Sequence, residues 1–199
     1  MPKGVFMIDV RNTRKEVRAK RAAICGAVRA TKSQQASQFI LEFMQQIEPV
    51  EEIGLFLSIA EEIDTHYLIE TLFQRQKKLF LPIVTAKGAA LQWRAYYQGE
   101  TLNNGALNIP VPAPKNDAPD RQNPPKMVVA PLVAYDACGH RIGMGGGFYD
   151  RSFAGKVRGQ APYLIGMAYA CQEIPLFTAE RWDIPLDALG NENGLIQFK

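Results

Sequence analysis

Four short apolar runs limit what this chain can fold into. They are Ile53-Gly-Leu-Phe-Leu-Ser-Ile59, Leu79-Phe-Leu-Pro-Ile-Val84, Met127-Val-Val-Ala-Pro-Leu-Val-Ala134 and Tyr163-Leu-Ile-Gly-Met-Ala-Tyr169. Each has the length of a buried strand, and the first two alternate with helical patterns. Ala36, Phe39, Ile40, Phe43, Met44 and Ile47 recur at helical spacing, which predicts a helix capped near Ser33 and stopped by Pro49. Asp64 or Thr65 can cap a second helix carrying Leu68, Ile69, Leu72 and Phe73. Residues 14–30 read as a basic helix that Gly26 weakens at its far end. Helix, strand, helix, strand in that order predicts an α/β fold with a mostly parallel sheet.

The 199 residues suit one domain, expected to span 1–199, with no internal repeat. Residues 91–97 begin with the alternation of a half-exposed strand, and 103–125 form a Pro- and Asn-rich excursion expected to be ordered. No apolar run approaches the roughly 20 residues of a membrane span, and Met1–Arg21 lacks a signal peptide's apolar stretch. A cytoplasmic location without membrane partners is the expectation. Cys25, Cys138 and Cys171 lie far apart, and only His66 and His140 could join them, so neither a zinc site nor a disulfide framework is expected.

The net charge of +3 is unevenly distributed, with Arg11, Arg14, Lys15, Arg18, Lys20 and Arg21 at one end. Such a segment attracts phosphates of any kind. Residues 11–30 contain no aromatic side chain to stack on bases, which argues against a nucleic-acid partner. Arg14 is the expected nucleotide contact, with Arg11 and Arg18 beside it, and Arg21 is expected on the solvated side.

The chemistry concentrates in Arg141-Ile-Gly-Met-Gly-Gly-Gly-Phe-Tyr-Asp-Arg151. Glycines 143, 145, 146 and 147 let backbone amides approach an anion, and a helix start beyond them favours phosphate. Arg141 and Arg151 can neutralise phosphate, and Asp150 can hold Mg²⁺ against it. Phe148 and Tyr149 offer faces for a heteroaromatic ring. The glycines alone would also fit a flexible strand–helix turn. The segment is neither a P-loop, lacking a Gly-Lys-Ser/Thr ending, nor a dinucleotide fingerprint.

With Ala130-Pro-Leu-Val-Ala-Tyr-Asp136 before it, this segment resembles the signature of the 5-formyltetrahydrofolate cyclo-ligase family. The resemblance extends through Phe56–Thr65, Leu107-Asn-Ile-Pro-Val-Pro112 and Glu180-Arg-Trp-Asp-Ile-Pro-Leu-Asp187, in the family's order and over most of the chain. It implies a three-layer α/β/α fold like that of the sugar-phosphate isomerase and CoA-transferase group. The implied activity is ATP- and Mg²⁺-dependent closure of 5-formyltetrahydrofolate to 5,10-methenyltetrahydrofolate, with release of ADP and phosphate.

The resemblance also assigns residues. Metal ligands would be Asp150 and Asp183. Nucleotide contacts would be Arg11, Arg14, Arg141, Ile142, Gly143, Met144, Gly145, Gly146, Gly147, Phe148 and Tyr149. Folate contacts would be Leu57, Glu62, Met144, Gly147, Phe148 and Trp182, with Glu62 accepting two N–H groups of the pterin. Arg141, Tyr149 and Asp150 would act on the reacting groups. A monomer is expected, with reduced folate and ATP as its small-molecule partners. Two departures stand out: Val10 occupies a position where relatives place lysine, and Met144 and Gly146 stand where some carry basic residues. A different enzyme on the same fold, keeping the loop for another phosphate chemistry, is the rival reading.

Overall fold

Residues 8–47 and 49–199 are described in a computed structural model of the chain. The basic segment forms parts of two helices where one was expected. Helix α1 spans Val10–Ala22, and the Asp9 carboxylate caps it by accepting the N–H groups of Arg11 and Asn12 at 3.0 and 3.1 Å. The chain then turns, and α2 spans Gly26–Gln46. Ser33 is therefore not a cap: it lies buried inside α2, where its hydroxyl accepts the Asp64 N–H at 3.0 Å.

The remaining elements follow as β1 (Glu52–Gly54), α3 (His66–Gln74), β2 (Lys78–Ile83), β3 (Gln92–Tyr96), β4 (Leu102–Asn104) and β5 (Pro110–Pro112). After these come β6 (Met127–Ala130), β7 (Ala134–Tyr135), β8 (Arg141–Ile142), α4 (Phe148–Ser152), β9 (Tyr163–Met167), β10 (Ala188–Asn191) and β11 (Gly194–Gln197). Asp64 provides the cap of α3, accepting the His66 N–H at 2.9 Å, whereas the Thr65 hydroxyl bonds back to Phe56.

Seven strands form one sheet in the order β11-β10-β9-β6-β1-β2-β3. The five inner strands are parallel, and β3 and β11 close the two edges antiparallel. β10 and β11 were not anticipated, because Ala188-Leu-Gly-Asn191 is too short and too mixed to stand out. Successive side chains of β6 point to opposite faces. Met127 and Val129 join the core beneath α2 and α3; Val128 and Ala130 join a second core with Trp93, Phe153 and Leu164. The α/β expectation holds, but the helical part of the second face is reduced to α4 and the connections around it. Ile40 of α2 is fully buried, and truncating it to alanine would cost roughly 2–5 kcal/mol.

The 103–125 excursion is ordered as expected. β4 and β5 pair as a hairpin, and Arg94 grips Asp120 with two 2.6 Å bonds while donating to the Pro112 carbonyl. The connections leaving β1, β6, β9 and β10 all emerge at the C-terminal end of the parallel strands, where open α/β sheets bind ligands. α1 packs there against β7 and the short turn Ala170–Gln172.

Candidate active site

The glycine-rich segment leaves the β7–β8 hairpin. The hairpin's turn is organised by the buried Asp136 carboxylate, which accepts the N–H groups of Cys138 and His140 and pairs with the His140 ring at 2.9 Å. Ile142 anchors the hairpin from below, buried with Val17, Val133 and Phe177. Its side chain cannot meet a nucleotide, so any contact it makes is through its backbone. Gly145 has φ +95° and Gly147 φ +62°, the left-handed region that disfavours side chains. Among the described residues, no acceptor pairs with the N–H groups of Met144, Gly145, Gly146 or Gly147. Unpaired, closely spaced amides of this kind suit an anion. α4 has only five residues, so its dipole adds little, and the loop amides carry the attraction instead.

Three arginines surround the loop. Arg14 Nε donates to the Gly143 carbonyl at 2.8 Å, and its guanidinium lies where a Cβ on Gly145 would come within 3.4 Å. Arg141 is buried, and its Nη2 donates to Asp150 Oδ1 at 2.7 Å. Arg151 turns back to the Gly146 and Ala89 carbonyls and lies over the Phe148 ring. Arg11 is exposed, and its guanidinium makes no hydrogen bond among the described residues. Arg14, not Arg11, is the α1 residue at the loop.

Arg18 and Arg21 depart from the expectation. Both bond to Glu61, at 2.6 and 2.8 Å, and Arg21 also donates to the Leu132 carbonyl at 3.0 Å. Arg21 is only 2% exposed, so it is a buried strut and not a solvated residue. Burial would raise the Glu61 carboxyl, but the bonds from Arg18, its own backbone and Arg21 hold it down at about 2.

The two expected metal ligands are close through backbone and not through carboxylates. Asp150 Oδ1 accepts from Arg141 and from the Ile184 N–H at 3.1 Å, which leaves Oδ2 without a partner among the described residues. Asp183, next to Ile184, turns its own carboxylate back to the Glu180 N–H at 2.9 Å. No group of three or more His, Cys, Asp or Glu side chains suited to a metal occurs among the described residues. The unpartnered Asp150 Oδ2 is an anionic oxygen of the kind Mg²⁺ takes beside substrate phosphates.

On the other flank, Glu62 follows β1. Its carboxylate accepts the Ile59 N–H at 3.1 Å, and Arg29 donates to its carbonyl at 3.0 Å. Burial pushes its carboxyl up, partly opposed by the Ile59 N–H and Arg21. Tyr149 lies within the field of Glu62: burial first and Glu62 second push its hydroxyl up, against Arg141. Tyr149 also stacks on Phe153, and Leu57 is half-buried against the first core. Phe148 is half-buried, while Met144 and Trp182 are exposed, Trp182 beneath the Arg181 guanidinium. Glu61, one of the acids that follow the first apolar run, is the residue whose pairing with Arg18 and Arg21 sequence reasoning missed. Its signal was an acid beside a helix bearing arginines at i, i+4 and i+7.

Comparisons with known proteins identify the family of the chain. The sequence model of the 5-formyltetrahydrofolate cyclo-ligase family matches residues 8–191. The chain is 31% identical over 177 residues to a 5-formyltetrahydrofolate cyclo-ligase of Escherichia coli (strain K12), covering 87% of this chain and 94% of that protein. It is 30% identical to one of Haemophilus influenzae, covering 87% and 92%. Among solved structures, a 5,10-methenyltetrahydrofolate synthetase of Aquifex aeolicus superposes with a TM-score of 0.75 at 24% identity, over 96% of this chain and 94% of that one.

Proposed function

This chain belongs to the 5-formyltetrahydrofolate cyclo-ligase family of ATP-dependent ligases, and we propose that its glycine loop binds the ATP phosphates while Glu62 holds the folate. The observation that carries this reading is the row of unpaired amides at 144–147 with Arg14 and Arg141 beside them. The reaction converts 5-formyltetrahydrofolate to 5,10-methenyltetrahydrofolate. The formyl carbon is amide-like and resists attack by a second nitrogen. Phosphorylating the formyl oxygen makes that oxygen a leaving group; the neighbouring nitrogen then closes the ring and phosphate departs.

Such chemistry depends on placement and charge neutralisation more than on a protein nucleophile. Arg141, fixed by Asp150, meets charge developing on the transferred phosphoryl group. The loop amides and Arg14 hold the phosphates in line. Glu62 accepts the pterin's N–H groups, and Met144, Phe148, Tyr149, Leu57 and Trp182 border the ring. Asp150 and Asp183 are the residues that would hold Mg²⁺, which would neutralise phosphate charge. No described helix is long and apolar enough to cross a membrane. We place the enzyme in the cytoplasm as a monomer acting on small molecules alone.

The test is an ultraviolet assay for the methenyl product with and without ATP. Product that requires ATP supports the reading. ATP hydrolysis indifferent to 5-formyltetrahydrofolate would instead favour another enzyme on the same fold.

A further inference from the structure

Helix α1 touches both halves of the site with a single face. Arg14, Arg18 and Arg21 fall at i, i+4 and i+7, with Val17 buried between them. The first of the three holds the glycine loop through the Gly143 carbonyl. The other two converge on one carboxylate oxygen of Glu61, and Arg21 also reaches Leu132 at the end of β6. Glu61 is the residue before Glu62, and its side chain is 13% exposed. No hydrogen bond among the described residues links Glu61 to the glycine loop, so it reaches that loop only through α1.

We propose that Glu61 is a positioning residue that couples the two substrate subsites: it clamps α1 through Arg18 and Arg21, and so sets Arg14 on the glycine loop while fixing the turn that carries Glu62. This rests on the assignment of the loop to ATP and of Glu62 to folate. Two guanidinium groups meeting on one carboxylate make a rigid joint, because Arg21 is buried and has few alternative partners. Removing the joint frees α1 to shift, and Arg14 shifts with it.

Calorimetry with Mg·ATP alone distinguishes this from a charge effect. Glu61→Gln removes a negative charge near the phosphate site, so simple Coulombic reasoning predicts tighter ATP binding. Positioning predicts the opposite sign: ATP affinity falls about fivefold in Glu61→Gln, and 5-formyltetrahydrofolate affinity falls with it. In an Arg14→Ala background, Glu61→Gln should then weaken ATP binding little further, because the arm it positions is gone. Glu61→Asp keeps the charge on a shorter arm; it should recover part of the affinity, and it replaces Glu61→Gln in the cycle if that variant does not fold. Unchanged or tighter ATP binding in the Glu61 variant overturns the proposal, and so does an equal loss in both backgrounds. If Arg14→Ala alone leaves ATP affinity intact, the nucleotide reading of α1 falls and the proposal with it. If Arg14→Ala weakens ATP binding and the Glu61 variant does not, the proposal alone falls.

Discussion

Helix α4 is entered and left by two glycine-containing connections that are built in opposite ways. The one leaving it, residues 153–162, is tied to a buried carboxylate. Asp187 pairs with Lys156 at 2.8 Å, and accepts the N–H groups of Gly159 and Leu164 at 2.7 and 2.6 Å. Both side chains of that pair are almost wholly buried. In the one entering it, residues 143–147, cations hold carbonyl oxygens and the amides are left over. Gathering donors onto one buried carboxylate produces an anchor; leaving donors unpaired at the surface produces a receptor for an anion. Glycine content alone does not distinguish the two.

The largest expected effect lies on the anchored side. Asp187→Ala strands Lys156 in the interior and should cost about 3–5 kcal/mol of stability by denaturant titration, with the ATP affinity of the folded fraction unchanged. A stability loss below about 1 kcal/mol would break the contrast. On the receptor side, Asp150→Asn keeps an acceptor for Arg141 and Ile184 but removes the anionic ligand for Mg²⁺. Turnover in the coupled ultraviolet assay should fall roughly 10²–10³-fold while the melting temperature moves only a few degrees. Near-normal turnover would take Asp150 out of the site.

Gly145→Val forces a branched side chain into a left-handed position against Arg14. It should weaken ATP binding by about thirtyfold, roughly 2 kcal/mol, and folate binding far less, as measured by calorimetry. Arg14→Ala should raise the KM for ATP about tenfold, roughly 1.4 kcal/mol, and Arg14→Lys should restore part of it, since lysine keeps the charge without the planar fork. The control is Lys15→Ala, an exposed neighbour expected to change nothing. Arg21 cannot serve as that control, because it is buried on Glu61. Equal effects at Arg14 and Lys15, both strongly salt-dependent, would mean diffuse attraction in place of a defined contact.

What was legible in the sequence follows from how local each signal is. The runs at 79–84, 127–134 and 163–169 became β2, β6 and β9 because continuous apolar stretches suit strands buried on both faces. Of the run at 53–59 only Ile53 and Gly54 lie in β1, which starts at Glu52; Leu55 still donates to the Phe80 carbonyl at 2.9 Å, and beyond it the chain leaves the ladder. The helix break after Ala22 was misplaced because residues 14–30 carry no strong stop until Gly26, which begins the next helix. The loop itself was legible, since its glycines and flanking charges are contiguous. The partners of its arginines were not: Arg14 meets Gly143 and Arg21 meets Glu61 across long sequence separations, which no spacing rule encodes. Asp150 and Asp183 met the same limit, their carboxylates being turned to different partners by the turn at Glu180–Asp183.

The two tryptophans also divide the protein's optical signal. Trp93 is fully buried in the second core, while Trp182 is 58% exposed beside the loop. Excited at the red edge, the first emits from an apolar surrounding and the second from water. Iodide should therefore quench only the Trp182 component of the native emission. Protection of that component on adding nucleotide or folate would report occupancy, and a red shift of the Trp93 component would report loss of the core. One unlabelled sample thus carries separate spectroscopic reporters for ligand and for fold.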